Sequence, residues 1–480
     1  MLDSKTMSML AQFLRRAAGA LVRFGLAGAA SYWVLGNAAA EQATFAEDVA
    51  PIVYEHCAVC HRPGQAAPFP LLSFDDVKKR GELIVRVTAR RYMPPWHATH
   101  APGFEEFRDE RRLSDSELST LRAWVDAGMP AGDLTRAPQP PAFPAGWALG
   151  QPDIELALPR EIDVPADGPD LYRNLVLPLD LPEDRWIAAV DFEPSARRVV
   201  HHALFFSSPA AESTSIGGND ILPGLGALLG GVRRGRGIRG ATGQQSFGRR
   251  TGGLGGWVPG MTPRFFPEGI AQPLPAHSNL VVQLHLHPSG KPERERGRVA
   301  LYLAAEPPRQ SLVSIQVPPM FGFAMGIDIP AGEKRYEIED SFVLPVNVTA
   351  FGVRGHAHYL AREMKMTAQL PDGSTRGLLW IADWDFGWQD SYFFRSPVAL
   401  PEGTRITAEI AYDNSEANVR NPNTPPRRVK WGLGSFDEMG SMSLLAAAAS
   451  KEEDDLLLQR QAQHFRVQLA SLFLRRQSGR

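Results

Sequence analysis

The only two cysteines of the chain lie in one run of five residues, Cys57-Ala58-Val59-Cys60-His61. That C-x-x-C-H order is the attachment pattern for c-type haem, in which both thiols become thioethers to the porphyrin and the histidine supplies the proximal iron ligand. A redox dithiol is the competing reading, but it needs a βαβ context that this stretch lacks. With both cysteines on haem, no thiol remains for a structural disulfide or for the thiolate of a blue-copper site. The second concentration of chemistry is histidine. Six of the 12 histidines fall into three tight groups: His201-His202, His285-Leu286-His287 and His356-Ala357-His358. Residues i and i+2 of a strand project from one face, so His356 with His358, and His285 with His287, can converge on a metal ion. Adjacent His201 and His202 face opposite sides of a regular strand and share a metal only through a twist or bulge. A methionine joining such a set selects copper over zinc, because thioether sulfur is a soft ligand.

The elements that must carry these residues divide the chain, since 480 residues exceed what one hydrophobic core supports. Arg15, Arg16 and Arg23 precede an apolar run from Phe24 to Gly36, and Ala38-Ala39-Ala40 offers a cleavage site. Residues 1–40 therefore read as a signal peptide, and the mature chain as exported, periplasmic in a bacterium. An uncleaved membrane anchor is the alternative, though the run is shorter than the roughly 20 residues a spanning helix needs. Residues 41–135 read as a small all-α, cytochrome c-like haem domain, with capping boxes at Thr44-x-x-Glu47 and Ser114-x-x-Glu117. Its sixth iron ligand is expected from Met93, in the proline-stiffened loop Arg91-Tyr92-Met93-Pro94-Pro95-Trp96, with His56, His97 and His100 as rivals.

A Pro-rich linker follows at 136–150. Beyond it, β-branched and aromatic runs bounded by turn residues predict strands at 198–206, 279–287, 299–304, 351–355, 378–381 and 406–412. The 44 glycines and 40 prolines point the same way. A Gly-rich insertion at 216–256, carrying Arg233, Arg234, Arg236, Arg239, Arg249 and Arg250, reads as a solvated loop rather than a dock for an anionic partner. The tail, 449–480, reads as an amphipathic helix capped by Ser450-x-x-Glu453, with Leu458, Ala462, Phe465, Leu469 and Leu472 on its apolar face. A net charge of −2 leaves no footprint for a polyanion, so nucleic acid is not an expected partner.

From about Asp153 to Leu445 the chain resembles the copper type II, ascorbate-dependent monooxygenases, typified by peptidylglycine α-hydroxylating monooxygenase and dopamine β-monooxygenase. The resemblance is carried by Val200-His201-His202, Val282-Gln283-Leu284-His285, Ile329-Pro330-Ala331-Gly332-Glu333, Gly355-His356-Ala357-His358-Tyr359-Leu360 and Asp437-Glu438-Met439, in the family's order. More closely it looks like bacterial relatives with a cytochrome c module in front, which typically keep a Trp-x-Pro-Gly turn, here Trp257-Val258-Pro259-Gly260.

The resemblance implies two all-β, antiparallel, jelly-roll-like sandwich domains, at 151–308 and 309–448. It implies that His201, His202 and His285 hold an electron-storing copper and that His356, His358 and Met439 hold the catalytic one. The cofactors would be covalent haem c and two copper ions. The activity would be O₂-dependent hydroxylation of a C–H bond in a small-molecule or peptide-like organic substrate. Electrons would come from an ascorbate-like reductant or a periplasmic redox protein through the haem. The chain departs from animal members in lacking their disulfides and any recognisable peptide-carboxylate clamp. His287 is a rival of His285 or a support beside it, His277 reads as an ordinary loop residue, and Trp384-Asp385-Phe386-Gly387-Trp388 reads as structural support. The rival functional class is a non-enzymatic electron carrier or a copper- or ligand-binding sensor, which turnover would separate from an enzyme.

Overall fold

The computed structural model describes residues 42–477 except 66, 144, 145, 214–251, 260, 262 and 433. The expected signal peptide and most of the Gly-rich insertion lie outside these residues. β-sheet dominates, with a few short helices near the start and one long helix at the end. Among the described residues no helix is long and apolar enough to cross a membrane.

Around the Cys57–His61 run, a π-turn (Phe45–Val49) leads into α1 (Ala50–His56), followed by α2 (Phe74–Lys78), α3 (Gly81–Ala89) and α4 (Asp115–Asp126). They enclose Phe45, Val49, Val53, Leu71, Ile84, Leu121 and Trp124. Ser114 and Glu117 form the expected reciprocal cap of α4. At Thr44 the reciprocity shifts by one residue. The Thr44 hydroxyl accepts from the Glu47 N–H, but Asp48 rather than Glu47 takes the Thr44 N–H, at 2.7 Å. The wider π-turn brings residue i+4 over the cap.

Between α3 and α4 the chain leaves the helices and runs along the later sheets as a strap. Ala98 bridges Ile381, Phe104 bridges Gly377, and Phe107 bridges Phe394. Thr99 and Glu105 donate backbone N–H groups to Trp380 and Gly377, and Arg108 donates to Phe393. Trp96, Ala98 and Phe107 belong to the core of those sheets.

The first β region has a five-stranded sheet in the order β1 (Ile154–Ala157), β10 (Arg298–Leu303), β4 (Arg185–Glu193), β7 (Ile270–Leu274), β11 (Gln310–Ser311). Its four-stranded neighbour runs β3 (Leu171–Pro178), β8 (Ser278–Leu286), β5 (Val200–Pro209), β6 (Gly252–Trp257), and β2 (Ile162–Val164) pairs with β9 (Glu293–Glu295). Both larger sheets contribute to one core, through Ile187, Phe192 and Leu301 on one side and Leu175, Phe205, Val282 and Leu284 on the other. The last residues of the insertion, expected as loop, are strand β6. Four of its six residues are glycine, so pairing with β5 rather than propensity forms it. At Gly256 a Cβ would lie 2.9 Å from the end of the Leu204 side chain and 3.1 Å from the Ala203 carbonyl oxygen, so a larger residue would have to displace them.

The second β region repeats the plan. One sheet runs β12 (Val313–Val317), β21 (Gly440–Ala448), β15 (Val348–Ala357), β18 (Ser391–Leu400). The other runs β14 (Tyr336–Val343), β19 (Arg405–Tyr412), β16 (Ala361–Gln369), β17 (Thr375–Ile381), and β13 (Asp328–Ile329) pairs with β20 (Val429–Lys430). The strap crosses from β17 to β18, which are the edge strands of the two sheets. Every residue of β21 is buried, as expected of a strand covered on both faces. One face joins the core of this region; the other, through Leu445 and Ala447, joins Phe351, Phe393 and Leu312 against Ile270 of the first region.

The tail forms α5 (Lys451–Gln477), with the Ser450 hydroxyl accepting from the Glu453 N–H. Its deepest residues are Leu457 and Leu472. Leu457 was not in the expected stripe, because the docked face is rotated to include Gln461, which accepts from the Gln316 N–H, and His464, which pairs with Asp340.

Candidate metal centres

The first histidine set sits where β5 and β8 pair. The register slips between Val200 and His202, so the two-residue step on β5 faces a one-residue step on β8, from Leu286 to His285. This is the irregularity that adjacent histidines need to face one ligand. His201, His202 and His285 converge with ligand atoms within 4.8 Å of one another, a group that could hold a metal ion. The Nδ1 atoms of His201 and His202 are 3.2 Å apart, and those of His202 and His285 3.3 Å.

The far side of His285 explains which nitrogen faces inward. Its Nε2–H donates to Asp170 at 2.8 Å, which leaves Nδ1 with the lone pair. Tyr172, opposite His285 in the β3–β8 register, stacks on its ring at 4.3 Å. His287 donates from Nδ1 to the other Asp170 oxygen at 2.7 Å, so it braces the carboxylate instead of joining the cluster. The Ser435 hydroxyl, from the second β region, also donates to Asp170. Burial alone would raise the Asp170 carboxyl, but these hydrogen bonds hold it well below the usual carboxylate range. Burial, and then the neighbouring His285, push His201 down to about 3 and His202 well below its ordinary value. Both rings are therefore neutral at pH 7, as metal ligands must be.

The second set lies at the adjoining ends of β15 and β21. His356 pairs with Ser441 and Ala357 with Gly440, the last pair of that ladder, and His358 directly follows β15 while Met439 directly precedes β21. The i, i+2 spacing puts His356 and His358 on one face, and Met439 is buried at the same end of the strand pair. The two imidazole centroids are 5.5 Å apart. His356 Nδ1–H donates to Gln389 Oε1 at 2.7 Å, and His358 Nδ1–H to the Asp437 carbonyl at 3.1 Å. Here Nε2 is the available donor atom, the opposite of His285. Burial lowers His356 to about 4 and His358 well below its ordinary value.

Glu438, fully buried, ties this set together. Its carboxylate accepts the backbone N–H groups of His358 (2.6 Å), Met439 (2.9 Å) and Leu360 (2.9 Å). Burial pushes its carboxyl up to about 8 against the pull of those donors, which favour the anion. Asp170, Gln389 and Glu438 have no metal-ligand spacing of their own. Only Glu438 lay in a quoted motif, and nothing there distinguished it from its neighbours.

In the helical segment Cys57 and Cys60 are unpaired. His61 Nδ1–H donates to the Phe69 carbonyl at 3.0 Å, which presents Nε2 as a ligand atom. Burial, then Cys60 and Glu117, push the Cys57 thiol up to about 12, unlike a reactive dithiol, whose thiolate must form near neutral pH. Met93 is half-buried just beyond α3, its N–H donating to the Val87 carbonyl. Of its rivals, His56 pairs with Glu117 at 2.9 Å, His97 lies against the Asp383–Asp385 turn, and His100 is exposed. His277, with φ of 55°, is a turn residue whose N–H donates to Leu181.

A cavity of about 350 Å³ joins this segment to the first histidine set. Gln65, Ala67 and Pro68 line one side, and Arg197, Val200, His201 and His287 the other.

No protein-family model and no curated protein matches the chain. Solved structures with some similarity include the major capsid protein P2 from bacteriophage PM2, at 10% identity and a TM-score of 0.25 over 62% of this chain and 97% of that one. Another is PNGase F, a glycosylasparaginase from Flavobacterium meningosepticum, at 8% identity and a TM-score of 0.27 over 62% and 96%. Likenesses this slight assign no function.

Proposed function

We propose that the chain is an exported, haem- and copper-containing, O₂-dependent monooxygenase related to the copper type II, ascorbate-dependent family. On this reading each β region is an antiparallel sandwich and the helical segment is a cytochrome c-like domain. His201, His202 and His285 would hold one copper; His356, His358 and Met439 the other; Cys57, Cys60 and His61, with Met93, would hold haem c. The bound copper pair supplies one-electron redox chemistry and O₂ activation for C–H hydroxylation, and the haem supplies single electrons.

The observation that carries the reading is the presence of two unlike donor sets that rest on opposite sides of one buried ring, Phe386. One offers three imidazoles; the other offers two imidazoles and, from Met439 directly before β21, a thioether. An electron-transfer scaffold needs one such set, not a second with a soft ligand. The chain's own residues fix each donor atom. Asp170 holds His285 with Nδ1 inward, and Gln389 and the Asp437 carbonyl hold His356 and His358 with Nε2 available. The cavity lined by Gln65, Ala67 and Pro68 and by His201 lies between the stretch after the Cys57–His61 run and the three-imidazole set, which favours that set as the point of electron entry if the run carries haem.

Metal analysis with copper EPR on haem-loaded protein, comparing wild type with His356→Ala, tests the proposal. We expect two type-2 coppers per haem in the wild type and one in the variant. Absence of bound copper would reject it and leave a haem electron carrier with a β-rich partner region.

A further inference from the structure

The turn between β17 and β18 is woven around both histidine sets. Trp384 donates from Nε1 to the His358 carbonyl at 3.1 Å. Gln389 accepts from His356 and donates back to the Phe386 carbonyl at 3.2 Å. Asp385 closes the turn by accepting from Gly387 through its side chain and from Trp388 through its carbonyl. At the tip, Phe386 is 5% exposed and its ring meets both sets. It stacks on His201 with centroids 4.4 Å apart and planes at 25°, and meets His358 edge-on at 5.4 Å. Tyr359 supports it from the side at 4.5 Å.

We infer that Phe386 is a positioning residue that holds the two histidine sets at a fixed, short separation and fills the space between them. The inference rests on the reading that both sets bind copper. Two consequences follow from the geometry. A stacked ring fixes the plane of His201, whose Nδ1 must aim at its partners, so Phe386 orients one donor set while resting on the other. The buried Phe386 ring also occupies the point where the sets meet, so an organic substrate must reach the His356–His358–Met439 set from a side that Phe386 does not cover.

The test is magnetic. Two cupric ions whose ligand sets rest on one ring couple through space and give a dipolar EPR signal that falls with the cube of their separation. Wild-type protein loaded with two coppers is expected to show it. Phe386→Ala is expected to retain two coppers but lose the signal several-fold, and Phe386→Tyr, which keeps the ring, to retain it. Phe386→Leu carries the alanine expectation in a variant that keeps most of the buried volume, should the cavity left by alanine unfold the protein. Two bound coppers with no coupling in the wild type, or full coupling in the alanine and leucine variants, would overturn the inference and leave the two-copper reading intact. Fewer than two coppers in the wild type would instead bring down that reading, and the inference with it.

Discussion

At the scale of single residues, the donor sets depend on groups that never touch the metal position. Asp170 is the clearest case, because one carboxylate accepts from His285, His287 and Ser435. An asparagine there has a single acceptor oxygen. Were its NH₂ to face His285, the ring would have to place its proton on Nδ1 and lose the inward lone pair. Asp170→Asn should therefore weaken copper binding at the three-imidazole set by roughly 10- to 100-fold, and leave the His356–His358–Met439 set at wild-type affinity. Competition titration against a copper chelator, with each site followed by EPR, measures this. Equal loss at both sites, or none, would show that Asp170 does not govern the His285 tautomer. The ligand histidines were legible in the sequence because i, i+2 spacing has a geometric meaning on a strand. Asp170 was not, since it lies 115 residues from His285 and meets it only through the β3–β8 register.

At the scale of elements, the strap from Ala98 to Phe107 is the feature the sequence concealed. It lies inside a segment whose capping boxes and C-x-x-C-H run announce helices, yet its Ala98, Phe104 and Phe107 satisfy the edges of sheets formed more than 250 residues later. Its bridges are isolated, and so short a stretch carries no alternation to read. By contrast, β5, β8, β15 and β19 fall within a few residues of their expected positions, because turn residues bound their β-branched runs. The strap's anchor is Phe107, 7% exposed, which stacks on Phe394 at 5.6 Å and meets Tyr392 at 5.4 Å and Trp96 at 6.3 Å. Phe107→Ala should destabilise the protein by about 3–5 kcal/mol, read as a lower denaturation midpoint in urea. A segment merely resting on the surface would lose under about 0.5 kcal/mol, and that result would remove the strap from the core. Arg111, just beyond the strap, faces the Trp388 ring at 5.1 Å and pairs with Asp390 at 3.7 Å. The same variant should therefore also loosen the turn that carries Phe386 and Gln389.

At the scale of the whole molecule, the two β regions are coupled by an apolar seam rather than by the candidate metal sites alone. Phe351 is the extra residue of a bulge in β15: Ala350 pairs with Ala446 and Gly352 with Leu445, leaving Phe351 unpaired between them. Its side chain lies with Leu312, Phe393, Leu445, Ala447 and Ile270 in a cluster separate from the core of its own region. A hydrophobic interface of this kind makes neighbouring regions unfold together, whereas a polar one lets them move independently. Calorimetry should accordingly record a single cooperative transition for the two β regions. Phe351→Ala should lower it by about 3–5 kcal/mol and separate it into two. The links from one histidine set to the other should fail with the seam, because both Ser435–Asp170 and Phe386–His201 join one region to the other. Two transitions in the wild type, or an unshifted single transition in the variant, would mean that the seam is not what holds the sets together. The two sets would then have to be held together by the Phe386 turn and the Ser435–Asp170 hydrogen bond alone.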